Sequence, residues 1–162
     1  MMPLIVADTG PINYLIQIGC LSVLPRLVGT VILPQEAARE LRSSDAPPDV
    51  RTWADSLPAW VEVDGSTHPI PPSTELSLAD RSAIAIASKL QALLLMDDRR
   101  ARKAATDLGV RTIGTLGILE AAAAKNLISL HDALTRLRST NIYISEALIA
   151  QALDRHAQRD RT

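Results

Sequence analysis

The chain has 162 residues, 47% of them apolar and 22% charged, with a formal net charge of −1. This is the length of one domain, with enough apolar side chain for a complete core, so disorder is excluded as the default. The near-neutral balance excludes a basic coat for non-specific nucleic-acid binding, and the single cysteine, Cys20, excludes an internal disulfide framework or a cysteine-rich zinc site.

In chain order, the apolar run Leu4 to Ala7 stops at Asp8-Thr9-Gly10-Pro11, which predicts a short buried strand followed by a turn. Pro11 suits the first turn of a helix over 12–18 that stops at Gly19. A second short helix is predicted over 21–27. The β-branched segment 28–33 predicts strand two, and Pro34 to Leu41 a helix. After a break at 43–50, a short helix over 50–57 and a strand over 60–63 are predicted. Residues 64–75 form a loop rich in Pro, Ser and Thr, long enough to suggest a functional or mobile segment.

The Ala-rich segment 78–90 predicts a helix, and Leu93 to Met96 a buried strand ended by Asp97-Asp98. A basic helix over 99–108, a strand over 110–113 and a helix from Gly114-Thr115 to about Lys125 follow. Two further helices are expected over 130–137 and from 145 to about 156. Short apolar strands alternating with helices predict a parallel sheet covered on both faces, in a single domain over 1–157 with a frayed tail at 158–162. The absence of Phe, with two Trp and two Tyr, predicts an aliphatic core and argues against recognition by base stacking. The N-terminus lacks a positive region and a long apolar run, and no stretch reaches a bilayer's span, so the expectation is a soluble cytoplasmic chain without a membrane partner.

The positions of the acids are the informative feature. Asp8 ends strand one, Asp97 and Asp98 end the LLLM strand, and ligand sites of open parallel sheets lie beyond the carboxyl ends of the strands. Glu40, late in the helix after strand two, and Asp80, early in the helix before the LLLM strand, can reach the same cleft. Clustered carboxylates raise one another's pKa unless a cation lies between them, and oxygen donors suit Mg²⁺ or Mn²⁺. Each acid also has a plainer reading: Asp8 in a turn, Asp97 or Asp98 as a helix cap, Glu40 solvated, Asp80 favouring the helix dipole. Arg99, Arg100, Arg102 and Lys103 open the basic helix, either as a phosphate-binding face or as a solvated one. The hydroxyls of Thr9 and Thr115 lie on loops at the ligand edge, with capping as the plainer role for Thr115. His68, His131 and His156 have no metal-ligand spacing, and no phosphate loop or Gly-x-Ser-x-Gly elbow is present. Cys20 reads as a small buried apolar residue.

From about residue 4 to residue 153 the chain resembles the PIN-domain family, in particular VapC-like toxins and their PIN-like relatives. Asp8 to Ile12 is similar to the family's opening Asp-Thr/Ser motif, Val31 to Pro34 with Glu40-Leu41 to its second motif, Leu78 to Ala87 with Asp80 to its third, and Leu93 to Ala101 to its fourth. Ile113 to Leu119 is similar to a Gly-Thr-Leu-Gly signature of one PIN-like subgroup. The resemblance implies a three-layer α/β/α sandwich with a parallel sheet of about five strands in the order 3-2-1-4-5. It implies cleavage of single-stranded RNA with Mg²⁺ or Mn²⁺, with Asp8, Glu40, Asp80 and Asp98 as catalytic acids. Metal ligands would come from Asp8, Asp80, Asp97 and Asp98, and substrate contacts from Thr9, Arg99, Arg100 and Thr115. The implied partners are RNA, a small antitoxin protein and a second copy of the chain; the alternative is a PIN-like binding module with little or no activity. Two departures stand out: Ala79-Asp80 replaces Gly-Glu, and Met96-Asp97-Asp98 replaces Thr-x-Asp, which leaves the choice between Asp97 and Asp98 open.

Overall fold

The computed structural model describes residues 4–66 and 75–160. Most of the Pro-rich loop, including His68, lies outside the described residues, as do 161 and 162. Five strands, β1 (Ile5–Ala7), β2 (Val31–Pro34), β3 (Val61–Asp64), β4 (Leu93–Leu95) and β5 (Thr112–Ile113), form one sheet in the order β3-β2-β1-β4-β5. Every neighbouring pair is parallel. The helices are α1 (Thr9–Gln17), α2 (Val23–Leu27), α3 (Gln35–Leu41), α4 (Pro48–Asp55), α5 (Leu78–Leu90), α6 (Arg99–Asp107), α7 (Thr115–Ala124), α8 (Leu130–Arg138) and α9 (Glu146–Asp160). The fold and strand order expected from the sequence are therefore both found.

Alternation along the strands divides the core in two. Ile5, Ala7, Val31, Leu33, Leu93 and Leu95 face the larger layer, into which α1, α3, α4, α7 and α8 deliver Ile12, Leu15, Leu41, Val50, Ile118 and Leu134. Val6, Ile32, Leu94 and Met96 face the other side, where α5 and α6 bury Ile84, Ile86, Ala83, Ala87, Ala101 and Ala105. Alanines let α5 and α6 approach the sheet closely, which is how a core without Phe closes.

Boundaries shift where local chemistry competes with hydrophobic pattern. α1 begins at Thr9, ahead of the expected 12, because Pro11 fits its first turn. β2 starts at Val31 and keeps Pro34 as its last residue. α4 starts at Pro48, with Pro in the first turn. α9 runs through Asp160, past the expected helix end at about 156; Arg155 and Arg159 on its last turns pair with Glu120 of α7, and His156 lies 3.5 Å from Asp160.

The seam between β5 and α7 depends on a missing side chain. A Cβ at Gly117 would come within 2.6 Å of Ile113 Cγ1, whereas a Cβ at Gly29 would meet nothing within 4 Å. Gly117→Ala is therefore expected to destabilise the fold by about 1–3 kcal/mol through overpacking. Gly29→Ala should stay within about 1 kcal/mol of wild type. Urea unfolding of the two variants checks the contrast, and equal midpoints would contradict it.

Candidate active site

Helices that return antiparallel to parallel strands begin at the sheet's carboxyl edge, so the N-termini of α1, α5, α6 and α7 gather beyond the strand ends. β1 is the central strand, and the Asp8 amide donates to the Leu95 carbonyl at 3.0 Å, fixing Asp8 beside the end of β4. Asp8 occupies the N-cap position of α1 with extended backbone, yet its side chain makes no cap hydrogen bond. A capping Asp would accept from an amide in the first turn. Asp8 therefore stands at the start of α1 without serving as its side-chain cap.

The Asp8 carboxyl is 7% exposed, and its Oδ1 is buried with no hydrogen-bond partner. Its pKa is raised from the ordinary 3.8 to about 7. Burial is the main cause, followed by the charge of Asp80; a hydrogen bond with Asp80 and the charge of Glu40 add to it, and the Thr9 amide opposes it. Three of the predicted acids thus meet. Asp80 comes from the first turn of α5, where it and Ser77 form a reciprocal capping box. Glu40 comes from the end of α3, and its Oε2 accepts a hydrogen bond from the Thr9 hydroxyl at 2.6 Å. Among the described residues, no arginine or lysine pairs with any of these three acids.

Asp98 and Asp97 have other bonds. Asp98 caps α6, accepting from the Ala101 amide at 2.9 Å. Asp97 accepts from both groups of Thr115, the amide at 2.7 Å and the hydroxyl at 2.6 Å. Thr115 is fully buried, so this pair latches the end of β4 to the start of α7. The Gly-Thr-Leu-Gly string now has a physical reading. A Cβ at Gly114 would sit 2.9 Å from Asp97 Oδ1 and 3.0 Å from an Arg102 guanidinium nitrogen, so only glycine admits the latch. Tyr14, which the sequence did not single out, lies near it: burial and the Asp97 charge both push its hydroxyl pKa up. Arg102 donates instead to the Thr112 hydroxyl at 3.3 Å.

Arg99 and Arg100 are exposed at the first two positions of α6. Cations there oppose the helix dipole, by roughly 0.3–1 kcal/mol each. His131 and His156 each stand beside an aspartate, and Cys20 is buried, with its thiol pushed up by that burial.

Among the described residues, no three acidic, histidine or cysteine side chains stand close enough together to hold a metal ion in their present rotamers. The donor chemistry nevertheless fits a hard cation. It consists of carboxylate oxygens, one of them buried and unpartnered, with no positive side chain between them. Asp8, Asp80 and Glu40 are the residues that could hold such an ion.

A family model described as a PIN domain matches residues 4–158, and the chain belongs to the PIN-domain family, a nuclease type of fold. A solved PilT N-terminus domain protein, SSO1118 from the hyperthermophilic archaeon Sulfolobus solfataricus P2, is similar at 16% identity and a TM-score of 0.48, covering 88% of this chain and 99% of its own. No curated protein matches the chain. Among the described residues, no helix is long and apolar enough to cross a membrane.

Two stability predictions arise from these bonds. The folded chain holds a proton on Asp8 that the unfolded chain has lost between 3.8 and about 7, so stability should fall as pH rises through that window. Unfolding midpoints measured across it should decline for wild type and decline less for Asp8→Asn; parallel slopes would contradict the assignment. Thr115→Val leaves an Asp97 oxygen buried without its hydroxyl donor and should cost about 1–3 kcal/mol in urea unfolding. No loss would mean that the latch contributes nothing.

Proposed function

We propose that the protein is a metal-dependent endoribonuclease, in which Mg²⁺ or Mn²⁺ held by the acidic cluster activates water for attack on an RNA phosphodiester. The observation that carries this reading is the Asp8 carboxyl, buried and pressed by Asp80 and Glu40, with one oxygen unpartnered and no counter-charge among the described residues. A bound divalent ion supplies an acidic water and charge stabilisation at the phosphate. Asp8 and Asp80 then act as oxygen donors, while the Thr9 hydroxyl orients Glu40. Asp98 joins them only by releasing its cap bond to Ala101, and Asp97 only by releasing Thr115. Arg99 and Arg100 take the phosphate oxygens, a use that accounts for cations at the wrong end of a helix dipole.

The fuller reading is the toxin of a type II toxin–antitoxin pair: a cytoplasmic homodimer whose cleavage of RNA is held in check by a small antitoxin. It rests on the likeness of the Asp8, Glu40 and Asp80 motifs to those of VapC-like toxins. A second reading, a PIN-like module with weak or no activity that binds nucleic acid or protein, has its own support. Among the described residues, no three acids close to metal-holding distance as the side chains stand, and Asp97 and Asp98 are both engaged in structural bonds.

Cleavage of single-stranded RNA in Mn²⁺ separates the two. The nuclease reading expects wild type to cut and Asp8→Asn to lose at least about a hundredfold in rate, or ~2.7 kcal/mol of transition-state stabilisation. Equal rates in the two proteins would exclude it. For Arg99→Glu combined with Arg100→Glu, RNA binding should weaken and the salt dependence of log K flatten by about 0.7 for each phosphate no longer neutralised. An unchanged slope would return these arginines to a solvated face.

A further inference from the structure

A cavity of about 320 Å³ opens beside the acidic cluster, between α1, the end of α3 and the 43–50 segment. Thr9 and Glu40 line its inner end, so it starts where the phosphodiester of the proposed reaction would lie. Leu41, Ala46, Pro47 and Val50 give it apolar walls, and Asn13 and Asp45 give it polar ones. A planar, neutral ring with a hydrogen-bonding edge suits such a space, and single-stranded RNA is read through splayed bases whose Watson–Crick edges are exposed.

The polar groups are specific in what they offer. Asn13 Oδ1 already accepts from Gln17 Nε2 at 2.9 Å, which fixes the amide's orientation and leaves its amino group as a donor without a partner among the described residues. Asp45 is held at its backbone, where its amide donates to the Ser43 hydroxyl at 3.2 Å. Its exposed carboxylate has no partner among the described residues and offers two acceptors. Asn13 and Asp45 therefore present one donor and a pair of acceptors to the cavity, beside the Ser43 hydroxyl and, at the phosphate end, Glu40. Guanine alone among the four RNA bases presents the complement, an acceptor at O6 beside adjacent donors at N1 and N2. Adenine and cytosine offer one donor group on that edge, and uracil a single donor between two acceptors.

We propose that this cavity is a base subsite that selects guanosine next to the scissile phosphate, with Asn13 donating to O6 and Asp45 accepting from N1–H and the N2 amino group. The proposal rests on the nuclease reading for its substrate, but its recognition step needs no cleavage. A carboxylate is tolerated near RNA here because it meets the base rather than the phosphate.

The test is binding of labelled, short uridine-rich RNAs by fluorescence anisotropy, using the full chain as Asp8→Asn in Mg²⁺ and as wild type in EDTA. The RNAs differ at one position only, carrying guanosine, inosine, adenosine, cytidine or uridine. Guanosine should bind at least about fivefold tighter than inosine, which lacks the N2 amino group, as expected for one arm of a bidentate pairing. Asp45→Ala should abolish that difference, and Asn13→Ala should reduce the preference for guanosine over uridine. Circular dichroism establishes that both variants are folded, and the inosine comparison needs no variant in the pocket. Equal binding of guanosine, inosine and uridine would overturn the proposal, as would a guanosine preference that survives both substitutions or a stronger preference for another base. RNA cleavage in Mn²⁺ is scored separately. Discrimination without cleavage would remove the nuclease reading and keep the subsite, whereas cleavage without discrimination would do the reverse.

Discussion

A carboxyl held out of water at the end of the central strand, with two more acids beside it and no cation paired to them among the described residues, is the constraint on which this structure turns. Burial alone disfavours the ionised form of Asp8, and Asp80 and Glu40 add repulsion. A fold gains nothing in stability from that arrangement. The chain could have relieved it by letting Asp8 cap α1, where its backbone already stands in the right conformation, and it does not. The acid is available for a ligand at a cost to the folded state, as functional groups often are.

The helix starts around that acid are, by contrast, held by side-chain bonds. Ser77 and Asp80 cap α5, Asp98 caps α6, and Asp97 ties β4 to α7 through Thr115. These bonds fix the helix starts that ring the carboxyl edge of the sheet. Thr9 and Thr115, predicted alike as hydroxyls at that edge, have different duties: one steadies Glu40, the other is sealed in the Asp97 latch. The same edge carries exposed Arg99 and Arg100 and the cavity around Asn13 and Asp45. In the proposed reading, acid cluster, cations and cavity together make a surface with a direction, from phosphate to base.

Much of the fold was legible because most strands are short, apolar and stopped by Gly, Pro or Asp, and because they alternate with longer helical segments, which together mark a parallel sheet. α5 was read to the residue from its alanine run, and the Ser77–Asp80 capping box fixes its start in the structure. Boundaries blurred where proline can serve two elements, as at Pro34 and Pro48, and at α9, where ion pairs with Glu120 extend a polar helix that pattern alone would end early. In the site, the meeting of Asp8, Glu40 and Asp80 could be anticipated from their places at strand ends and helix starts. The separate duties of Asp97 and Asp98 could not, because adjacent residues of one type differ only in which way each side chain turns. Asn13, Tyr14 and Asp45 carry no motif, and only the packing of α1 against its neighbours brings them to the site.

The most direct test of the central claim is calorimetric titration of Mn²⁺ into wild type at about pH 6, repeated in buffers of different ionisation enthalpy. If the crowded carboxyls await a cation, the ion binds and displaces the Asp8 proton, so the heat depends on the buffer; that dependence should vanish near pH 9, where the carboxyl is already ionised. Absence of binding, or binding that releases no proton at either pH, would contradict the account.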